Sequence, residues 1–128
     1  MRYFTLKENK LSELEGKTIK QIKGLKKYSE EVRILTECGR TYLFYHEQEC
    51  CEIVTLEDFE LSAPSLDGAV ILSANEESSY NDSNEYGETS TWTFYKIGTS
   101  KGELWMRWFG RSNGYYSEAV NFIEEKTK

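Results

Sequence analysis

Short apolar runs, none longer than four or five residues, punctuate this chain and predict strands rather than helices. Val32-Arg33-Ile34-Leu35-Thr36 and Thr41-Tyr42-Leu43-Phe44-Tyr45 are rich in β-branched and aromatic residues, and Cys38-Gly39-Arg40 turns one into the other. Between Lys17 and Leu25 the apolar residues Ile19, Ile22 and Leu25 recur every third position, which reads as a strand with a bulge. Ile53-Val54-Thr55-Leu56 and Gly68-Ala69-Val70-Ile71-Leu72 add two buried strands, with loop or a short helical turn from Glu57 to Asp67. Ser- and Asn-rich Asn75 to Ser90 reads as a long exposed loop. Leu6, Leu11 and Leu14 are spaced for one short helix ending at Gly16.

The last third of the chain carries the strongest pattern. Trp92 to Ile97 and Glu103 to Phe109 read as strands joined by the five residues Gly98 to Gly102. Asn113-Gly114 predicts a two-residue type I′ hairpin, because both central positions of that turn need positive φ. In this register Arg111 opposes Tyr116, Phe109 opposes Glu118, Arg107 opposes Val120 and Trp105 opposes Phe122. Trp92, Phe94, Met106 and Trp108 then share the core face. Thr93, Tyr95, Trp105, Arg107, Phe109, Arg111, Tyr116 and Glu118 share the other. Rings mixed with arginines and a carboxylate suit a planar or phosphorylated ligand or a protein interface, while a covering N-terminal helix would make the same face structural.

The expected architecture is α+β, mainly β: a single antiparallel twisted sheet or partly closed barrel of about six to seven strands with a short N-terminal helix. Residues 1–15 read as a helical appendage to one β-rich domain over 16–128. No apolar run is long enough to span a membrane, and nothing resembles a signal peptide. The three cysteines, odd in number and irregularly spaced, suit a reducing cytoplasm.

Charge changes the picture by its distribution. The net charge is −6, but residues 41–95 contain no Lys or Arg. Such an acidic side disfavours direct nucleic-acid or membrane binding and attracts a partner with a basic surface, or simply aids solubility.

Chemistry concentrates in His46-Glu47-Gln48-Glu49-Cys50-Cys51-Glu52, which contains the only histidine. If the preceding strand continues, His46, Gln48, Cys50 and Glu52 lie on one face and Cys51 on the other. His46 and Cys50 would then stand about 13 Å apart at roughly 3.3 Å per residue, too far to share an ion that needs ligands at about 2.0–2.3 Å. A Cys50–Cys51 disulfide is disfavoured because neighbouring Cα atoms are closer than bridges usually require. A nucleophilic cysteine activated by His46 is the enzymatic reading, which the surrounding carboxylates oppose by raising a thiol's pKa. The structural reading is a turn in which the cysteines pack as small hydrophobes and His46 and Glu52 satisfy backbone groups. Buried polar groups need partners, so the Asn113-Gly114 tip, with Ser112, Tyr115, Tyr116 and Ser117, is expected to pack on His46–Glu52.

His46-x-Gln48-x-Cys50-Cys51-Glu52, Trp92-Thr93-Phe94-Tyr95 and Arg107-Trp108-x-Gly110-x-Ser112-Asn113-Gly114-Tyr115-Tyr116-Ser117 together resemble a small domain of unknown function common in bacteriophage and prophage genomes. The resemblance covers roughly residues 16–123 and leaves out the N-terminal 15 residues and the acidic loop. That family commonly has aspartate before the double cysteine, where this chain has Glu49. The resemblance implies a virus-associated accessory protein acting in a bacterial cytoplasm, and no particular activity.

The candidate binding residues are therefore His46, Gln48, Cys50, Cys51, Glu52, Tyr95, Arg107, Arg111, Ser112, Asn113, Tyr115, Tyr116, Ser117 and Glu118. The leading expectation is an accessory protein that counters host defence by binding a host protein with a basic surface. The alternatives are a sponge for a small anionic, nucleotide-like ligand, and a small thiol- or metal-dependent enzyme. No cofactor and no metal are assigned, and self-association is left open.

Overall fold

The alternation of apolar and polar positions resolves into eight strands in a computed structural model that describes residues 9–81 and 87–125. They are β1 (Ile19–Lys23), β2 (Glu31–Thr36), β3 (Thr41–Tyr45), β4 (Ile53–Leu61), β5 (Ile71–Asn81), β6 (Thr89–Thr99), β7 (Glu103–Ser112) and β8 (Asn121–Glu125). The strands form two four-stranded antiparallel sheets, in the orders β1-β2-β3-β8 and β4-β7-β6-β5, and not a single sheet or a closed barrel. The expected N-terminal helix is, in its described part, a 3₁₀ turn over Leu11–Leu14; Leu6 lies outside the described residues.

One core joins the two sheets. Ile19, Val32, Ile34, Tyr42, Phe44 and Phe122 come from the first, and Leu56, Tyr95, Ile97, Leu104, Met106 and Trp108 from the second. The ring of Phe44 meets that of Tyr95 edge-on at 4.8 Å between centroids. Rings in such pairs add stabilisation beyond the area they bury. Leu14 of the 3₁₀ turn is fully buried in the same core.

The bulge expected in the first strand is present, as a register shift between Ile19 and Gln21. Elsewhere the structure departs from the sequence reading in three ways. β4 extends to Leu61, through residues expected to form a loop, with a register shift between Leu56 and Asp58. Part of the expected 75–90 loop is strand: β5 runs to Asn81 and β6 starts at Thr89, while residues 82–86 lie outside the described ones. β5 escapes a propensity reading because it is an edge strand, exposed over most of its length, where packing does not select β-branched residues.

The third departure governs the site. β7 and the segment after Asn113-Gly114 do not pair as a hairpin. β7 pairs with β4 and β6, whereas β8 pairs with β3 in the other sheet. Residues 113–120 therefore form a crossover between sheets. Gly114 has φ 88°, but among the described non-glycine residues only Tyr28 has positive φ. Asn113 thus lacks the conformation that a type I′ turn demands.

Candidate functional site

β3 stops at Tyr45, and the chain then bends back on itself instead of continuing as a strand. The bend lets His46 Nε2 reach Glu52 Oε2 at 2.7 Å, a contact that a straight strand forbids. Glu52 is only 2% exposed. Its carboxylate also accepts the backbone N–H of Glu49 at 2.8 Å and of Cys50 at 2.9 Å. Burial alone would raise its pKa. Donation from His46 and from the backbone N–H groups of Glu49, Glu52 and Cys50 outweighs burial and brings the value down to about 2. His46 Nδ1 lies 2.7 Å from the carbonyl oxygen of Ala119. Both partners of the ring can only accept, so an imidazolium, with two N–H donors, satisfies both.

Gln48 closes the same loop by donating to the Glu52 carbonyl at 2.6 Å. Cys50 and Cys51 are bonded to each other across Cα atoms 3.7 Å apart, contrary to the sequence reading. Adjacent side chains splay to opposite faces on a strand, but here the chain has left the strand. With both sulfurs in one bond, neither is a free thiol for nucleophilic attack.

The crossover supplies the other half of this junction. Ser112 Oγ accepts the Gly114 N–H at 3.1 Å, and Asn113 Oδ1 accepts the Tyr115 N–H at 3.0 Å, which fixes the turn locally. Ser117 N–H donates to Glu49 Oε1 at 3.2 Å, and Glu47 N–H donates to Asn121 Oδ1 at 2.8 Å. The contact anticipated between the turn region and the His46–Glu52 segment is thus present. It is made by the residues that follow the turn.

A second buried carboxylate anchors the crossover. Glu118, 6% exposed, accepts hydroxyls from Thr89, Thr91 and Ser112, with the Thr91 contact at 2.7 Å. Room for it comes from Gly110, where an added Cβ would stand 2.9 Å from the Glu118 carbonyl oxygen and 3.0 Å from Val54 Cγ2. Sequence reasoning missed Thr89 and Thr91 as its partners. Their i, i+2 spacing on one face of β6 was the available signal.

The predicted site residues divide among several places. Cys51, Glu52, Arg111, Ser112, Asn113 and Tyr116 line one cleft of about 310 Å³. Tyr116, Ser117 and Glu118 line a second of about 280 Å³ together with β5 and β6. His46, Gln48 and Glu52 border a third of about 370 Å³. Tyr115 is 82% exposed, with its ring edge-on to that of Tyr116. Tyr95 belongs to none of these, since it is buried in the core. Arg107 lies on the outer face of the second sheet, where Nη2 is 3.4 Å from Asp58 Oδ2.

Tyr95 and the outer face were misassigned for one reason. Gly98 pairs with Glu103, so only a tight turn through Ser100 and Lys101 joins β6 to β7. Thr99 N–H donates to the Gly102 carbonyl at 2.8 Å. Against a five-residue loop this slips the register by one and exchanges the two faces of β6. Thr93 and Tyr95 turn inward, and Trp92 and Phe94 turn outward beside Phe109 and Arg107. Trp92 packs against Phe109 at 4.5 Å, and the Arg107 guanidinium lies 4.9 Å from the Trp92 ring centre. Lys96 Nζ is 5.0 Å from the Trp105 ring centre and 3.5 Å from Glu103 Oε2. Trp105 is 48% and Phe94 38% exposed.

The fold and site define a two-sheet antiparallel β protein whose crossover is locked to a histidine–carboxylate loop, with an aromatic outer face. Among the described residues, no group of three or more His, Cys, Asp or Glu is placed to hold a metal ion. A family model described as a domain of unknown function (DUF7448) matches residues 12–122, and the chain belongs to that family. No curated protein and no solved structure matches it. No helix among the described residues is long and apolar enough to cross a membrane.

Proposed function

We propose that this chain is a phage- or prophage-type accessory protein that acts by binding a basic, nucleic-acid-handling host protein and so countering host defence. The observation that carries this reading is where the acidic residues stand. β4 and β5 are the two edges of the second sheet, and they bear Asp58, Glu60, Glu76 and Glu77 with no Lys or Arg on either strand. An acidic border on both edges steers a basic surface toward this sheet and repels phosphate backbones. The test is a charge-swap series at Glu60, Glu76, Glu77 and Glu88, measured against a purified partner. Affinity should fall with each reversal and with added salt, and unchanged affinity across the series would remove the reading. Asp82 and Glu85 of the same acidic stretch lie outside the described residues.

A second reading, a sponge for a small anionic, nucleotide-like ligand, is favoured by Arg111. Among the described residues it makes no ion pair, and it lines the same cleft as Asn113 and Tyr116. A guanidinium beside a ring suits phosphate next to a base. Tyr95 has no part in this, being core. A nucleotide that raises the melting temperature of the wild type but not of Arg111→Ala would support it, and no shift with any nucleotide would dismiss it.

A further inference from the structure

The outer face of β4-β7-β6-β5 presents something that the acidic edges alone do not explain. Its two central strands point Trp92 and Phe94 from β6, and Trp105 and Phe109 from β7, away from the core. Trp105 and Phe94 are 48% and 38% exposed. Large rings gathered in solvent mark an interaction site more often than chance placement does. Resting on the binding reading above, we infer that this face is the docking surface, and that it takes a protein surface whose apolar centre is bordered by Lys and Arg.

Three observations select that occupant. The first is the arrangement of charge across the face. Asp58 and Glu60 stand on the β4 edge, beside Arg107 and Trp105, while Glu77 stands on the β5 edge beside Phe94. Two cations between the rings are already engaged, Arg107 with Asp58 and the Trp92 ring and Lys96 with Glu103 and the Trp105 ring, while Arg111 stands beyond Phe109 at the end of β7. An incoming surface therefore meets rings in the middle and acids at both sides.

The second observation is size. The aromatic centre spans one inter-strand gap, roughly 5 Å, by roughly 13 Å along β7 from Trp105 to Phe109. That is well short of the roughly 800 Å² per partner of an ordinary stable interface. A partner that binds here also covers the edges, where it meets Asp58, already paired with Arg107, and Glu60 and Glu77, which make no ion pair among the described residues. Covering unpaired carboxylates with anything but cations is costly.

The third is what the pattern disfavours. Two copies packed face to face with aligned strands would bring acidic edge against acidic edge, whichever edges meet. A nucleic acid could stack bases on the rings, but its phosphates would run over those same acids on a chain of net charge −6. A basic-bordered protein surface avoids both penalties.

The test uses the whole folded chain as bait and a random display library of linear and cyclised peptides as the probe. Binders are then titrated against the wild type, the double variant Phe94→Ser/Trp105→Ser, the edge variant Glu60→Lys/Glu77→Lys, and Tyr28→Ser as an exposed-ring control between β1 and β2 of the other sheet. Selected peptides should combine Lys or Arg with large apolar residues. They should lose at least about ten-fold in affinity on the ring variant, weaken on the edge variant and with salt, and keep full affinity for Tyr28→Ser. Melting curves confirm that each variant is folded. The inference is overturned if no peptide is enriched, if enriched peptides are acidic, or if they bind the ring variant as well as the wild type. Self-association abolished by the ring variant, or an oligonucleotide that competes for the face, would also overturn it. Edge-dependent binding that ignores the ring variant would leave the acidic-edge reading standing while removing this one.

Discussion

The His46–Glu52 junction and the outer face of the second sheet use their chemistry in opposite ways. At the junction nearly every polar group answers another: Glu52 holds an imidazole and two loop amides, and Glu118 holds three hydroxyls. The outer face leaves rings in solvent, with its cations lying across them. The residues that look most reactive in the sequence thus fasten a crossover to a loop. Trp92 and Phe94, which look like core, instead join Trp105 and Phe109 on the solvent face. A buried carboxylate with its donors in place stabilises because removing any one of them strands the rest, whereas an exposed ring contributes little to folding.

The strongest way to break this contrast is Glu52→Gln. It removes a buried charge from beside His46 and turns an amide group toward the Glu49 and Cys50 N–H donors. Breaking such a pair costs about 3–5 kcal/mol, which a urea unfolding curve would report. Gly110→Ala attacks the same junction from β7, driving a Cβ into the backbone of Glu118 and into Val54. Overpacking of this kind costs about 1–3 kcal/mol, and thermal melting would show it without any change in the outer face.

Acid titration sharpens the comparison. The Glu52 carboxyl is held at about 2 when folded, below its ordinary value of 4.5. A depressed folded pKa adds stability that is fully present above 4.5 and lost as pH falls toward 2. Urea midpoints of the wild type should therefore decline across that window, and those of Glu52→Gln should decline less. Thr91→Val is the mildest probe of the junction, because it deletes one hydroxyl donor to Glu118 while keeping the β-branched shape. It should cost about 1 kcal/mol, read from the same curves.

How much of this was legible in the sequence depends on the range of the interaction. β1 to β3 and the bulge before Gln21 follow from local apolar pattern and turn residues, which act over neighbouring positions. The face of β6 did not follow, because a loop length misjudged by a few residues reverses inside and outside along the strand. Asn113-Gly114 announces a turn, but a turn does not say which sheet receives the next strand. The His46–Glu52 contact required a bend that strand periodicity cannot express. Cys51, Glu52, Arg111, Asn113 and Tyr116 were nonetheless singled out, and they line one cleft. Their polar and aromatic character demanded partners wherever the chain ran.

The division of labour is tested most directly by the urea unfolding midpoint of Phe94→Ser/Trp105→Ser, taken beside that of Glu52→Gln. With the rings about half exposed and the junction holding the crossover, the double variant should lose only about 1–2 kcal/mol, from partial burial and cross-strand contacts, while Glu52→Gln loses about 3–5 kcal/mol. A double variant that loses as much stability as Glu52→Gln, or a Glu52→Gln chain that unfolds like the wild type, would contradict the account.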